Sequence, residues 1–293
     1  MASIARIENT LLAALATTAG PGCPPKLAAA VRHAVFPGGA RIRPQLTLAV
    51  ARACGDDQPA LADAAAAAVE LLHCASLVHD DLPCFDDATL RRGQASVHSA
   101  YGERLAVLTG DALIVIAFQI LARAGAVAPA RLTQLMETVA SGVGMPGGIV
   151  AGQAWECEPR VSLREYQRLK TGALFAAATM AGAQAAGGDA EAWRGLGERL
   201  GEAYQVADDI RDVIASPERL GKPIGRDVAL GRPSVATDLG LESAVRVFDR
   251  LVAAAADAIP ECRGAPLLRA LVWAESERLV PKAMLPQPLR AVA

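Results

Sequence analysis

Along most of this chain, apolar and polar residues follow the period of a helix. Ala-, Leu- and Arg-rich segments of about 12 to 25 residues are separated by short breaks. The breaks are GPGCPP (20–25), FPGGARIRP (36–44), GDDQP (55–59), GMPGG (144–148), AAGGD (185–189) and LGKPIGRD (220–227). Glycine ends helices there through its φ freedom, and proline through its missing donor. Alternating β-branched runs flanked by hairpin turns are absent, and no repeat of fixed period occurs. The pattern predicts an all-α protein, with alanine-rich helices packed closely in a bundle. No Pro/Gly/Ser-rich linker joins two compositions, so residues 1–293 are expected to form one domain.

Composition narrows the classes of function. The chain is 52% hydrophobic and 20% charged, ample for a large core and too apolar for disorder. A net charge of −2 argues against a broad surface for nucleic acid or anionic lipid. The six cysteines show no CxxC pairing, and several lie in apolar helical runs. They read as small core residues in a reducing compartment. The start, MASIARIENTLLAALATTAG, has no basic region before a long apolar one, so no export signal is expected. No uninterrupted apolar span of 18 residues occurs, and the expectation is a soluble, cytoplasmic protein without stable membrane insertion.

The charge is concentrated in two places. In LLHCASLVHDDLPCFDDATLRRG (71–93), an apolar helical run ends in Asp80, Asp81, Asp86 and Asp87, followed by Arg91 and Arg92. Glu70, His73, Leu77, Asp80 and Asp81 fall at helical spacings, so the polar members form a narrow stripe. A solvated helix end is the plain reading of such a cluster taken alone. In YQVADDIRDV (204–213), Gln205, Asp208, Asp209 and Asp212 stand at i, i+3, i+4 and i+7, on one face of one helix. Two clustered sets of carboxylates repel themselves unless something cationic holds them. Hard oxygens without thiol or imidazole partners favour Mg²⁺, which shares its ligands with phosphate. Arg43, Arg91, Arg92, Lys170 and Lys222 suit a polyanionic substrate that completes the charge balance.

These residues carry a family resemblance. DDLPCFDDATLRRG resembles the first aspartate-rich motif, DDxxxxD followed by RRG, of the short-chain trans-polyprenyl diphosphate synthases, and DDIRD resembles their second, DDxxD. FPGGARIRP is similar to their GGKRxRP segment, TGDALI to GDxLL, GQAWE to the GQ-plus-acid segment, LKTGALF to the KT segment and LGKPIGRD to GKxxGxD. The motifs run in family order from residue 38 to about 234. Within the family the chain looks most like bacterial geranylgeranyl diphosphate synthases of carotenoid and photosynthetic-pigment pathways.

The resemblance implies a type I isoprenoid-synthase helical bundle around a central cavity, as a homodimer. It implies condensation of isopentenyl diphosphate with an allylic diphosphate (dimethylallyl, geranyl or farnesyl). Three Mg²⁺ ions would be held by Asp80, Asp81 and Asp86 on one wall and by Asp208, Asp209 and Asp212 on the other. Arg91, Lys170 and Lys222 would contact the allylic diphosphate. Thr171, Gln205 and the backbone near Lys170 would stabilise the allylic cation, and the departing diphosphate would take the proton. Arg43, His73 and Arg92 would hold isopentenyl diphosphate.

Two departures stand out. Ala40 replaces the lysine of GGKRxRP, and Arg232, in GRPSV, replaces a lysine that serves the diphosphate and changes the fork geometry. His79 reads as structural, His98 as a support for the aspartate loop, Asp111 as a helix cap or structural bond, and Cys84 and Phe85 as packing within that loop. Small residues at Ala75 and Ser76, about one helical turn before Asp80, leave room for a chain beyond C15 and predict a C20 product. A farnesyl diphosphate synthase, a weakly active regulatory subunit and a terpene cyclase of the same fold are the alternatives. Nothing from about residue 236 onward carries an interpretable motif.

Overall fold

The computed structural model describes residues 2–36, 38–159, 163–214, 235–281 and 283. Helices α1 (Ala2–Ala16) and α2 (Pro25–Val35) lead into α3 (Ile42–Ala53) and the long α4 (Pro59–Asp80). A hairpin of β1 (Leu90–Arg91) and β2 (Gln94–Ala95) follows, then α5 (Val97–Tyr101), α6 (Glu103–Ala124), α7 (Pro129–Val143), α8 (Ile149–Ala154) and α9 (Leu163–Gln167). A π-helical turn (Arg168–Gly172) opens α10 (Ala173–Ala185), and α11 (Glu191–Ile214), α12 (Val235–Leu239), α13 (Leu241–Asp257) and α14 (Ala265–Leu279) complete the described chain. Proline stands in the first turn of α2, α4, α7 and α14, where its missing N–H leaves no bond unmade.

Two helices form the axis of the molecule. In α4, Ala64 to Val69 are buried, and the helix packs against α6, α3 and α10. In α10, every residue from Leu174 to Ala183 is buried, between α11, α3, α7 and α4. A helix that is apolar all round belongs at the centre of a bundle, and short alanine side chains let its neighbours approach closely. One core cluster gathers α1, α2, α4, α6 and α7, and a second gathers α11, α13 and α14; residues of α3 and α10 enter both.

The structure sharpens four expectations. Two helical stretches, Pro59–Asp80 and Glu103–Val127, are long and apolar enough to cross a membrane. In the first, 78% of the apolar window is buried inside the molecule; in the second only 44% is, and Leu108 and Val115 of α6 are 51% and 55% exposed. A hairpin does exist, with Arg91 paired to Gln94 across a two-residue turn. Arg92 and Gly93 there have φ of 55° and 77°, the left-handed geometry that primed hairpin turns require. Of the six cysteines only Cys74 is buried, and Cys84 and Cys157 are exposed. Of the two readings of Asp111, the structural bond fits: it sits in the middle of α6, exposed, with a carboxylate oxygen 4.0 Å from His79 Nε2.

Candidate active site

One large cavity, about 840 Å³, opens between α3, α4, α11 and the π-helical turn. Its first acidic wall is the end of α4. Residues 81–88 fold back on that end: Asp86 N–H donates to Asp80 O at 2.9 Å, Asp87 N–H to Leu82 O at 3.0 Å, and Ala88 N–H to Asp81 O at 3.1 Å. The fold-back returns Asp86 to the cavity beside Asp80, and the longer DDxxxxD spacing is absorbed in the turn. His98 steadies the loop, with Nε2 2.9 Å from Ala88 O.

Asp80 and Asp81 differ sharply. Asp80 lines the cavity, whereas Asp81 does not; its side chain is 3% exposed and faces Arg91, whose Nε donates to Oδ1 at 3.0 Å and to Oδ2 at 3.2 Å. Burial raises the pKa of both carboxyls, against the lowering effect of Lys170 on Asp80 and of Arg91 on Asp81. The Asp81 oxygens are committed to Arg91 and do not face the cavity. Arg91 in turn lies 3.9 Å from Asp80 Oδ2.

The second acidic wall is α11. Gln205, Asp208, Asp209 and Asp212 all reach the cavity, as their helical spacing predicts. Asp209 accepts from Gln205 Nε2 at 3.2 Å and from the Val235 N–H at 2.8 Å, which ties α11 to the start of α12. Asp208 is paired with Arg211 one turn on. Gln205 Oε1 accepts from the Thr171 hydroxyl at 3.3 Å.

Lys170 stands between the walls. Its ammonium donates to Asp80 at 3.2 Å and to Glu156 at 2.7 Å, and Glu156 also accepts from the Tyr166 hydroxyl. Burial works against the charged form, but Asp80, Tyr166 and Glu156 together outweigh it and hold the Lys170 pKa above its ordinary value. Gly152 makes this position possible: a Cβ there would lie 2.4 Å from the Lys170 backbone N.

The opposite end of the cavity is cationic. Successive residues of a strand point to opposite sides, so β1 and its turn send Arg91 towards Asp81 and Arg92 towards Gly39. A Cβ on Gly39 would meet the Arg92 guanidinium at 2.8 Å, and one on Gly38 would meet that of Arg41 at 2.2 Å. The paired glycines of FPGGARIRP thus leave room for two arginines. Arg41, with φ of 52°, is buried and bonded to Glu8 of α1 (2.8 Å), Glu70 of α4 (2.6 Å) and Val35 O (2.8 Å). It fixes the segment that carries Arg43. Arg43 Nη1 lies 3.4 Å from His73 Nε2, its guanidinium sits 4.3 Å over the Phe175 ring, and its buried Nε has no hydrogen-bond partner. Burial and then Arg43 and Arg92 push the His73 pKa well below the usual value, so its imidazole is neutral. Beneath the polar rim the wall is apolar, with Leu72, Ala75, Ile114, Val143, Ile149 and Leu174.

The structure therefore gathers Arg43, His73, Asp80, Asp86, Arg91, Arg92, Lys170, Thr171, Gln205, Asp208, Asp209 and Asp212 on one cavity. Lys222 and Arg232 lie outside the described residues. Sequence reasoning missed the roles of Glu156, Tyr166 and Arg41; the acid of GQAWE was the one visible hint. His79, read as structural, has Nε2 3.3 Å from Val107 O and also lines the cavity.

A helical bundle with two carboxylate walls and a cationic end around an apolar pocket defines a protein built to bind diphosphates that carry hydrocarbon tails. Residues 24–258 match the family described as polyprenyl synthetase, and the chain belongs to that family. It is 54% identical over 281 residues to a geranylgeranyl diphosphate synthase of Cereibacter sphaeroides, covering 96% of this chain and 98% of that one. It is 50% identical over 275 residues to one of Rhodobacter capsulatus, covering 94% and 95%. Among solved structures it is similar to a geranyltransferase of Legionella pneumophila, with a TM-score of 0.80 at 28% identity over 94% of each chain. A geranyltransferase of Helicobacter pylori, complexed with magnesium and isoprenyl diphosphate, superimposes with a TM-score of 0.78 at 28% identity, covering 93% of this chain and 96% of that one.

Proposed function

We propose that this chain is a magnesium-dependent prenyltransferase that condenses isopentenyl diphosphate with an allylic diphosphate and makes mainly geranylgeranyl diphosphate. The observation that carries the reading is the segregation of one cavity wall into carboxylates with Lys170, a cluster of Arg43, His73 and Arg92, and an apolar pocket beneath.

The carboxylates suit magnesium. Among the described residues no three acidic, imidazole or thiol groups converge on one point. Mg²⁺ is commonly held by one or two carboxylates with water and substrate phosphate completing its octahedron. Asp80 and Asp86 on one side, and Asp208 and Asp212 with Asp209 on the other, would hold it, three ions in all. When bound, the metal neutralises the diphosphate as a leaving group.

The chain's own groups do the rest. Lys170 and Arg91 face the leaving diphosphate. The Thr171 hydroxyl and Gln205 amide present dipoles where the allylic carbon gains positive charge, and preorganised dipoles in a dry site are worth more than water's. Arg43, neutral His73 and Arg92 hold isopentenyl diphosphate so that its double bond faces that carbon, while Lys222 joins Lys170 and Arg91 at the allylic diphosphate and Arg232 adds a further cation. The departing diphosphate accepts the proton.

Product length follows from α4. Ala75 and Ser76 line the cavity, five and four residues before Asp80, so the hydrocarbon chain passes them without obstruction. One helical turn rises about 5.4 Å, comparable to one extended isoprene unit. The whole chain acts as a single domain, since α3 and α10 serve both core clusters. It acts as a cytoplasmic homodimer in which a second copy covers the apolar face of α6. The test is incubation with Mg²⁺, labelled isopentenyl diphosphate and each allylic primer in turn. Wild type should make C20 from all three, and Ala75→Phe should shift the product to C15. A wild type that stops at C15, or a Phe variant that still makes C20, refutes this assignment of the floor.

A further inference from the structure

A second diphosphate needs cations with donors that carboxylates have not already taken up. Among the described residues, Arg43 and Arg92 make no ion pair with a carboxylate, His73 is uncharged, and Ala40 beside them brings no charge. The wall continues past Arg43. Under its guanidinium lies Phe175 at 4.3 Å, and against Phe175 lies the Tyr204 ring at 4.7 Å. The Tyr204 hydroxyl accepts a hydrogen bond from Arg278 Nη2 at 2.8 Å. Arg278 ends α14, a helix to which the sequence assigned no role, and it lines the cavity together with Tyr204 and Leu279. Its Nε is held by Glu275 at 2.7 Å, its Nη1 has no hydrogen-bond partner among the described residues, and its side chain is 42% exposed. A guanidinium tethered at two nitrogens, with the third open and accessible, is arranged to receive an anion.

We infer that Arg278 is a third arginine for isopentenyl diphosphate, presented by the last helix and aimed by Tyr204. This deepens the proposed function and rests on it. Arg92 comes from the hairpin turn and Arg278 from α14, so residues distant in the chain would meet the second substrate. Glu275 tempers its charge in the free protein and yields it to the ligand.

The experiment is a steady-state comparison with both substrates varied. Arg278→Gln should raise KM for isopentenyl diphosphate about tenfold, lower kcat less than threefold, and leave KM for the allylic diphosphate within about twofold, the pattern of lost uniform binding. Arg278→Lys should recover part of the loss, and Tyr204→Phe, which keeps the ring and removes the tether, should raise the same KM severalfold. Ala40→Lys should lower KM more in the Arg278→Gln background than in wild type, because each cation then partly replaces the other. An unchanged KM in Arg278→Gln, or equal rises for both substrates, overturns the inference. Thermal melting identifies a variant that fails to fold, in which case Tyr204→Phe and Arg278→Lys decide by the same criteria. A wild type that elongates no primer overturns the function instead. Calorimetric titration of isopentenyl diphosphate into magnesium-free wild type and Arg278→Gln then still tests the residue, since equal affinities would count against it.

Discussion

Asp80 and Asp81 stand side by side in the chain, yet only the first reaches the cavity. The difference sets two kinds of loss. Asp80→Ala should lower turnover by several orders of magnitude and leave the helical circular dichroism intact, because it removes a ligand needed when the leaving group departs. Asp81→Ala leaves Arg91, 27% exposed, without its main partner, and should lower unfolding free energy by about 2 kcal/mol. Denaturant titration and turnover of the two variants check the split; full stability of the Asp81 variant would contradict the pairing. His73 gives a pH dependence. Its pKa is depressed in the folded protein by burial and nearby arginines, so between that value and the unfolded 6.5 the unfolded chain binds more protons. Stability contributed by neutral His73 is present above pH 6.5 and declines as pH falls, by up to about 1.4 kcal/mol per unit. His73→Gln should flatten the fall between pH 7 and 5 in denaturant melts. The aspartates were legible because their spacings fix one helix face. Arg41 and Arg278 were not, since each acts through a contact between distant segments: Arg41 and Glu70 are 29 positions apart, Arg278 and Tyr204 are 74. Glu156 lies only 14 and 10 positions from Lys170 and Tyr166, but on a separate element, so no single helical face displays the three together.

At the scale of elements, the π-helical turn at Arg168–Gly172 is the piece that carries both Lys170 and Thr171 to the cavity. Such single turns are recurrent at functional sites, where one widened turn re-aims side chains without ending the helix. It depends on α8 lying flush against it. Gly152→Ala would place a methyl 2.4 Å from backbone N of Lys170, which cannot swing aside as a flexible side chain would. That variant should melt lower by roughly 1–3 kcal/mol and lose at least about tenfold in kcat, while KM for isopentenyl diphosphate stays near wild type. Unaltered kcat would mean that the turn tolerates displacement. The helices were legible from their period and their Gly/Pro breaks. The hairpin was not, because two residues per strand give alternation nothing to repeat. Its only sequence trace is Gly93 after two arginines, and that glycine serves φ rather than chemistry.

For the whole molecule, the informative surface is α6. Leu108 and Val115 are exposed at helical spacing along a stretch long and apolar enough to enter a membrane. The proposed second copy would cover that face without lipid. Leu108→Glu with Val115→Glu should convert a dimer of about 61 kDa, twice the 30.3 kDa chain, into a monomer by light scattering. A wild type that elutes as monomer would remove the dimer from this picture. The all-α class and the cavity-centred arrangement followed from periodicity and the family motifs. The exposed apolar face of α6 did not, because an apolar helix reads alike in a core, in an interface and in a bilayer until its neighbours are known.

Lys170, clasped by Asp80 and Glu156, also bears on how the protein waits between turnovers. The resting pocket is its own salt: an internal ammonium sits where incoming positive charge would otherwise be demanded. Lys170 and Arg91 therefore offset part of the repulsion that Asp86 exerts on Asp80 and Asp81 at the end of α4. On the proposed function, loading would be an exchange of counter-ions: an arriving diphosphate would take over the lysine, and the carboxylates it leaves would turn to the metal. One side chain thus ties the readiness of the acidic wall to the arrival of something worth cleaving.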